Sequence, residues 1–128
     1  MNSQILIKIN GFAKSRLIEV LGFLLVVTGF FFLVSIVSYS PSDPNFIYTP
    51  ENTNIKNIGG FYGSIISDFL LQSIGLISLL VILNLFNWGF VLISSKKINN
   101  FISKIFYTTV YVIFGTVFIN IVYKYSKF

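Results

Sequence analysis

Residues able to perform acid–base or metal chemistry are scarce in this sequence. The chain contains no histidine and no cysteine, and only four of its residues are acidic. Without histidine it lacks the commonest general base and metal ligand, and without cysteine it lacks disulfides and thiolate metal sites. The acids are scattered, and no group of them has metal-ligand spacing. We therefore predict no catalytic residue, no metal site and no cofactor in this chain.

Nucleotide and nucleic-acid binding are not indicated either. The segment from Gly11 to Ser15 contains a Lys-Ser pair, but it lacks the glycine before the lysine that a phosphate-binding loop requires. The net charge of +5 is not gathered into a basic patch with interleaved aromatics, so we expect no direct contact with nucleic acid. In a membrane protein such a charge more often reflects cytoplasmic flanks and anionic lipid.

Asp68 is the one acid that could serve as a proton or ion site in a transport pathway. Asp68, Gln72 and Gly75 follow one another at spacings of four and three, so they share one face of a helix. Acids that carry ions through a membrane usually lie deep within a span, whereas Asp68 falls near the end of one. We favour a structural role for it, as a solvated helix-end acid or as a packing contact with a neighbouring helix.

The elements that carry these residues are apolar runs typical of transmembrane helices. The chain is 55% hydrophobic and 10% charged, and the run 20–39 contains no charge. A helix of about 20 apolar residues crosses a hydrocarbon core of about 30 Å. The sequence predicts an all-α fold, a polytopic bundle with spans at about 18–39, 69–94 and 105–123. The second helix is expected to run unbroken from about Phe61 to Ile93, and Asn84 and Asn87 within it to bond to other helices.

The distribution of basic residues predicts how the chain threads the membrane. Basic residues precede the first span and fill the short loop 95–104, whereas the longer loop 40–68 has one lysine against three acids. The positive-inside rule then places the N-terminus and loop 95–104 in the cytoplasm and loop 40–68 outside. Residues 1–16 form either an amphipathic helix on the inner leaflet or a frayed basic tail. A cleaved signal peptide is a third possibility, but the apolar run exceeds the 7–15 residues of such a segment.

Two short motifs flank the predicted outer loop. The first, at 38–45, reads S-Y-S-P-S-D-P-N, and the second, at 57–75, reads N-I-G-G-F-Y-G-S-I-I-S-D-F-L-L-Q-S-I-G. The prolines cannot continue a helix, so the first span should end there, and Ser42 and Asp43 are suited to cap nearby backbone N–H groups. The adjacent pair Gly59 and Gly60 suits a tight turn into the next helix.

In order, spacing and membrane context these motifs resemble the N-terminal membrane region of the bacterial FtsK/SpoIIIE DNA translocases. The resemblance extends over about residues 15–123. The positions that match the motifs of that family, and that we expect to be structural or partner-binding, are Pro41, Asp43, Pro44, Asn57, Gly59, Gly60, Gly63, Asp68 and Gly75.

The resemblance implies a septal membrane anchor with a role in cell division and chromosome segregation. In that family the membrane region, commonly of four spans, lies in the bacterial inner membrane at the division septum. It contacts other division proteins there, and we expect it to form a homo-oligomer. A C-terminal motor, which needs ATP and Mg²⁺, moves the DNA. This sequence lacks the motor and ends after a third predicted span, as expected of a truncated or fragmentary anchor.

Two functions of other classes remain as alternatives. A small accessory subunit of a transporter or channel would use Asp68 and Gln72 to line a pathway. A holin-like lysis protein would share the apolar spans, although the long loop 40–68 argues against it.

Overall fold

The computed structural model describes residues 2–49, 51 and 54–126, and within them the chain is entirely helical apart from its connections. The four helices described are α1 (Ser3–Val37), α2 (Gly60–Ile74), α3 (Ile77–Ser95) and α4 (Phe101–Ser126). The prediction of an all-α fold is confirmed.

Three of these helices, α1, α3 and α4, are long and apolar enough to cross a membrane. At about 1.5 Å per residue, the 35 residues of α1 extend for about 52 Å, well beyond a core of about 30 Å. The 15 residues of α2 reach only about 22 Å, which is too short to span. Because α1 begins at Ser3, the N-terminal segment continues the first span as a helix, and the frayed-tail alternative is wrong.

The prediction of one unbroken helix from about Phe61 to Ile93 is also wrong. The helix is interrupted at Gly75 and Leu76, which separate α2 from α3. Gly75 ends α2 with φ 59° and ψ −138°, a conformation that is open to glycine and sterically costly for other residues. Its N–H still donates to the carbonyl oxygen of Leu71 at 3.0 Å, while the N–H of Ser78 donates to the carbonyl oxygen of Gly75 at 3.0 Å. Hydrogen bonds on both sides of Gly75 therefore hold the turn between α2 and α3.

The Gly75→Ala variant is expected to lose about 2 kcal/mol of unfolding free energy in detergent, because alanine is strained at this φ and ψ. Steric overlap does not contribute to this loss of stability, because the nearest atom to a Cβ added at Gly75 is the Leu71 carbonyl oxygen at 3.8 Å. The matched control is Gly11→Ala within α1, where a Cβ meets nothing within 4 Å. Equal thermal stability of the two variants would contradict the positive φ at Gly75.

The central packing contact is between α1 and α3, which run antiparallel. Gly22 of α1 lies against Gly89 of α3, and about two turns further along α1, Gly29 lies against the ring of Phe86. Small residues on both helices let the backbones approach closely, which is how membrane helices gain van der Waals contact. Few large side chains are fully buried in the described residues; Ile18 of α1 and Ile82 of α3 are among them, 3% and 1% exposed.

Helix α4 lies at the edge of the bundle and buries none of its residues. The Asn84 amide of α3 donates a hydrogen bond to the Tyr111 hydroxyl of α4. The ring of Trp88 contacts that of Phe101 edge-on, with 5.5 Å between centroids. The predicted interhelical role of Asn84 is confirmed, whereas the exposed side chain of Asn87 forms no hydrogen bond among the described residues.

Candidate functional site

Five of the nine family-motif residues lie in the loop between α1 and α2, residues 38–59, which we call the α1–α2 loop. Helix α1 ends where the Ser38 N–H donates to the Val34 carbonyl oxygen at 3.0 Å. The loop then turns at Pro41, whose ring is exposed, and the Asp43 N–H donates to the Ser40 carbonyl oxygen at 3.1 Å. Pro44 is buried behind this turn. The prolines thus direct the chain away from helical geometry and bring Asp43 inward.

Asp43 joins the two ends of the α1–α2 loop. One carboxylate oxygen accepts the Lys56 N–H at 2.9 Å and the other accepts the Asn57 N–H at 2.8 Å. The side chain is 4% exposed, so both bonds are shielded from water. The predicted capping of neighbouring N–H groups by Asp43 is wrong: its partners lie 13 and 14 residues further along the chain.

Asn57 extends this network into the helices. Its amide nitrogen donates to the carbonyl oxygen of Ser35 in α1 at 2.7 Å and to the Ser67 hydroxyl of α2 at 3.3 Å. Its amide oxygen accepts the Gly59 N–H at 2.9 Å. We call Ser35, Asp43, Asn57 and Ser67 the polar hub. Each is no more than 4% exposed, and no buried side-chain polar atom of the described residues lacks a partner.

Two glycines let the backbone pass close to the polar hub. A Cβ on Gly59 would lie 2.7 Å from the Ser35 hydroxyl oxygen, and one on Gly63 would lie 2.5 Å from the Asn57 amide oxygen. Gly60 between them has φ 67° and opens α2, and its N–H donates to the Asn57 carbonyl oxygen at 2.9 Å. The predicted tight turn at this glycine pair is confirmed.

Asp68 and Gly75 lie outside the polar hub. One Asp68 oxygen accepts the Tyr39 hydroxyl at 3.0 Å, and both accept from the Gln72 amide at 2.9 Å, as the shared helical face predicts. Burial, together with the hydrogen bond to Asp68, raises the pKa of the Tyr39 hydroxyl above its ordinary value of 10.0. The described residues contain no group of three or more acidic residues able to hold a metal ion.

The outer side of the hub carries exposed apolar side chains. Ile47, at the tip of the turn that Asn45 holds by accepting two backbone N–H groups, is 95% exposed. We call the following set the apolar loop surface: Phe46, Ile47, Tyr48, Ile58 and Tyr62. A rigid polar interior beneath an exposed apolar surface is suited to binding another apolar surface, of protein or of lipid headgroup region.

Ser35 and Ser67 are residues of this site that the sequence did not single out. Ser35 stands inside the apolar run of α1, and Ser67 lies one residue before Asp68. A small hydroxyl residue within an apolar run is a weak signal of a helix contact, because such residues favour close approach and can bond across helices. The residue that bonds to both serines, Asn57, lies elsewhere in the chain, so the sequence signal does not identify it.

Comparison with known proteins gives the chain a family. Residues 14–126 match the 4TM region of DNA translocase FtsK/SpoIIIE. DNA translocase FtsK of Azospirillum brasilense is 33% identical over 90 residues, which is 70% of this chain and 14% of that protein. DNA translocase FtsK of Vibrio vulnificus is 34% identical over 85 residues, 65% of this chain and 8% of that protein. The chain therefore spans a small part of these relatives, and no solved structure matches it.

Proposed function

Since this chain belongs to the FtsK/SpoIIIE family of DNA translocases, as its membrane-embedded 4TM region, we propose that it tethers such a translocase at the division septum. The match to residues 14–126 is the observation that carries the proposal. It covers the transmembrane region and not the ATPase motor, so the chain is not itself the enzyme. ATP and Mg²⁺ belong to the motor of the whole protein in this proposal.

The α1–α2 loop is the part that we propose contacts other division proteins. The positive-inside rule supports an orientation with this loop outside and the N-terminus in the cytoplasm. Asp43 and Asn57 fix the loop to the helices, so the apolar loop surface is presented with little loss of conformational freedom on binding. Preorganised apolar and aromatic side chains are typical anchors of protein interfaces.

Self-association through the spans completes the proposal. Helix α4 buries none of its residues, and the exposed fraction of its Phe114 is 70%. Such a helix offers an uninterrupted face either to lipid or to a neighbouring copy. In this proposal each motor subunit carries its own anchor, so a homo-oligomeric anchor would hold several motor subunits together at one place.

Localisation tests the proposal directly. We expect a fluorescent fusion of residues 1–128, produced at low level in dividing bacteria, to gather at midcell while sedimenting with the inner membrane. An even distribution around the cell envelope, with the protein intact in the membrane fraction, would contradict the septal role. A proteoliposome flux assay separates an anchor from a transporter subunit, because an anchor should conduct no ions.

Loop variants of the same fusion are expected to rank in a defined order. Asp43→Ala removes the carboxylate that joins the loop ends, and Gly60→Val places a branched residue at φ 67°, so both should reduce the midcell fraction. Asp68→Ala should reduce it less, since its partners are two side chains outside the polar hub. Immunoblots of the membrane fraction control for abundance. Equal, negligible effects of all three substitutions would remove the loop from the mechanism.

A further inference from the structure

A basic pocket lies at the end of the bundle opposite the α1–α2 loop. It is formed where α1 passes the C-terminus of α3 and the connection to α4, and its volume is about 570 Å³. Small-molecule sites typically occupy 300–1,000 Å³. The side chains that line it are Lys14, Ser15, Ile18, Ser95, Lys96, Lys97, Ile98 and Asn99. Six of these eight residues are lysine, serine or asparagine, in contrast to the apolar spans.

The cations of this pocket are not neutralised by the protein. Within the described ranges 2–49, 51 and 54–126, the ion pair that forms is Arg16 with Glu19 at 2.6 Å, and Lys14, Lys96 and Lys97 take part in none. Lys96 caps α3 in the left-handed conformation, φ 54°, and its N–H donates to the Leu92 carbonyl oxygen at 3.0 Å. This turn holds Lys96 and Lys97 together at a helix C-terminus, where the helix dipole favours positive charge.

An apolar groove continues from the pocket along the spans. It has a volume of about 230 Å³ and is lined by Leu21, Leu24, Leu25, Thr28, Leu92, Ile98 and Phe101. Ile98 lines both the groove and the pocket, so the two are adjacent. A smaller cleft beside Trp88 and Lys104 also shares Ile98, Lys97 and Phe101, which makes the lining continuous. The combined site is cationic at the membrane edge and apolar within the membrane.

We propose that this site binds an anionic diacyl phospholipid, with the phosphate among Lys14, Lys96 and Lys97 and one acyl chain in the groove. Cationic pockets between spans at a membrane surface recognise anionic headgroups. A soluble phosphate would leave the apolar groove unused, and a zwitterionic lipid would not neutralise three clustered lysines. The proposal depends on the chain being embedded in a membrane and is independent of the septal role.

Native mass spectrometry of the detergent-purified chain, titrated with defined lipids, tests the proposal. Phosphatidylglycerol should remain bound at activation energies that strip phosphatidylethanolamine. Equal retention of these two diacyl lipids would overturn the proposal. Glycerol phosphate, the soluble headgroup, should not displace the bound lipid at millimolar concentration, and displacement would show a phosphate site that does not need the acyl chains.

Charge variants locate the headgroup. The triple variant Lys14→Gln, Lys96→Gln and Lys97→Gln should bind the anionic lipid at least about tenfold more weakly, since each lysine near a headgroup contributes to binding. The control, Lys8→Gln, Lys56→Gln and Lys124→Gln, loses the same charge outside the pocket and should keep its affinity. Arginine at positions 14, 96 and 97 should restore binding. If both glutamine triple variants weaken lipid binding equally, the lipid responds to the overall charge of the protein and the proposed site is wrong.

A groove variant locates the acyl chain. Leu24→Trp fills the groove and should weaken retention of the anionic lipid without altering any charge. The control is Leu17→Trp, at an exposed position of α1 that lines neither the groove nor the pocket. Thermal unfolding checks that both variants are folded. If Leu24→Trp and Leu17→Trp retain the lipid equally, the groove is not its binding site.

Discussion

The Asp43→Ala variant is expected to release the α1–α2 loop while leaving the four helices in place. Asp43 accepts the N–H groups of Lys56 and Asn57 and is 4% exposed, so alanine leaves two donors unpaired in a buried position. A hydrogen bond to a charged group contributes about 1.5–3 kcal/mol. Opening of the loop should therefore become easier by about 3 kcal/mol, which corresponds to more than about 100-fold.

Hydrogen exchange of the chain in nanodiscs measures this effect at the amides concerned. The Lys56 and Asn57 amides should exchange about 100-fold faster in Asp43→Ala, with the helices unchanged. Asp43→Asn, which keeps one carbonyl acceptor, should be less affected. Asp68→Ala is the matched acidic control, and it should leave these two amides as they are because the partners of Asp68 among the described residues are the side chains of Tyr39 and Gln72. Unchanged exchange in Asp43→Ala would contradict the polar hub.

The Gly22→Val variant is expected to separate α1 from α3. A Cβ at Gly22 would lie 2.7 Å from the Gly89 carbonyl oxygen and 3.0 Å from the Ile93 backbone nitrogen. These are backbone atoms of the facing helix, so a side-chain rotation cannot relieve the overlap. Overpacking of this kind costs about 1–3 kcal/mol, and valine adds two methyl groups to the Cβ, so we expect about 3 kcal/mol.

Unfolding in mixed micelles, followed by circular dichroism, should show this loss. Gly89→Val should behave alike, since a Cβ there would lie 2.7 Å from the Gly22 carbonyl oxygen. The control is Gly11→Val on the same helix, where a Cβ meets nothing within 4 Å and only the modest propensity difference between the residues applies. If Gly22→Val and Gly11→Val are equally stable, α1 and α3 do not pack through these glycines.

The three helices that are long and apolar enough to cross a membrane could be predicted from the sequence because lipid imposes a simple rule on such helices. Every lipid-facing residue must be apolar, so uncharged runs mark the spans without knowledge of their neighbours. The pairing of Asp68 with Gln72 was predictable for a similar reason, since residues four apart on a helix are adjacent whatever else the chain does.

The interior of the candidate site could not be predicted, because its contacts join residues far apart in the chain. Asp43 bonds to residues 13 and 14 positions away, and Asn57 reaches back 22 positions to Ser35. Local rules offered Asp43 a nearby capping role instead. The family motifs nevertheless included Asp43, Asn57, Gly59 and Gly63, so the resemblance identified residues whose mutual contacts only the fold explains.

The break at Gly75 illustrates a different limit. Glycine is common within membrane helices, so its presence in an apolar run does not predict where a helix ends. The positive φ of Gly75 depends on how α2 packs against the end of α1 while α3 packs along it, and that is a tertiary property. Gly60, by contrast, follows another glycine directly after a polar loop, and its turn was predictable.

The side of the membrane on which the α1–α2 loop lies tests the proposed anchor most directly. The chain has no cysteine, so the Ile47→Cys and Lys97→Cys variants each carry a single thiol, one in the apolar loop surface and one in the basic pocket. A maleimide that reaches the periplasm but cannot cross the inner membrane should label Ile47→Cys in intact cells and Lys97→Cys only after lysis. Labelling of Lys97→Cys in intact cells, with Ile47→Cys protected until lysis, would contradict the account.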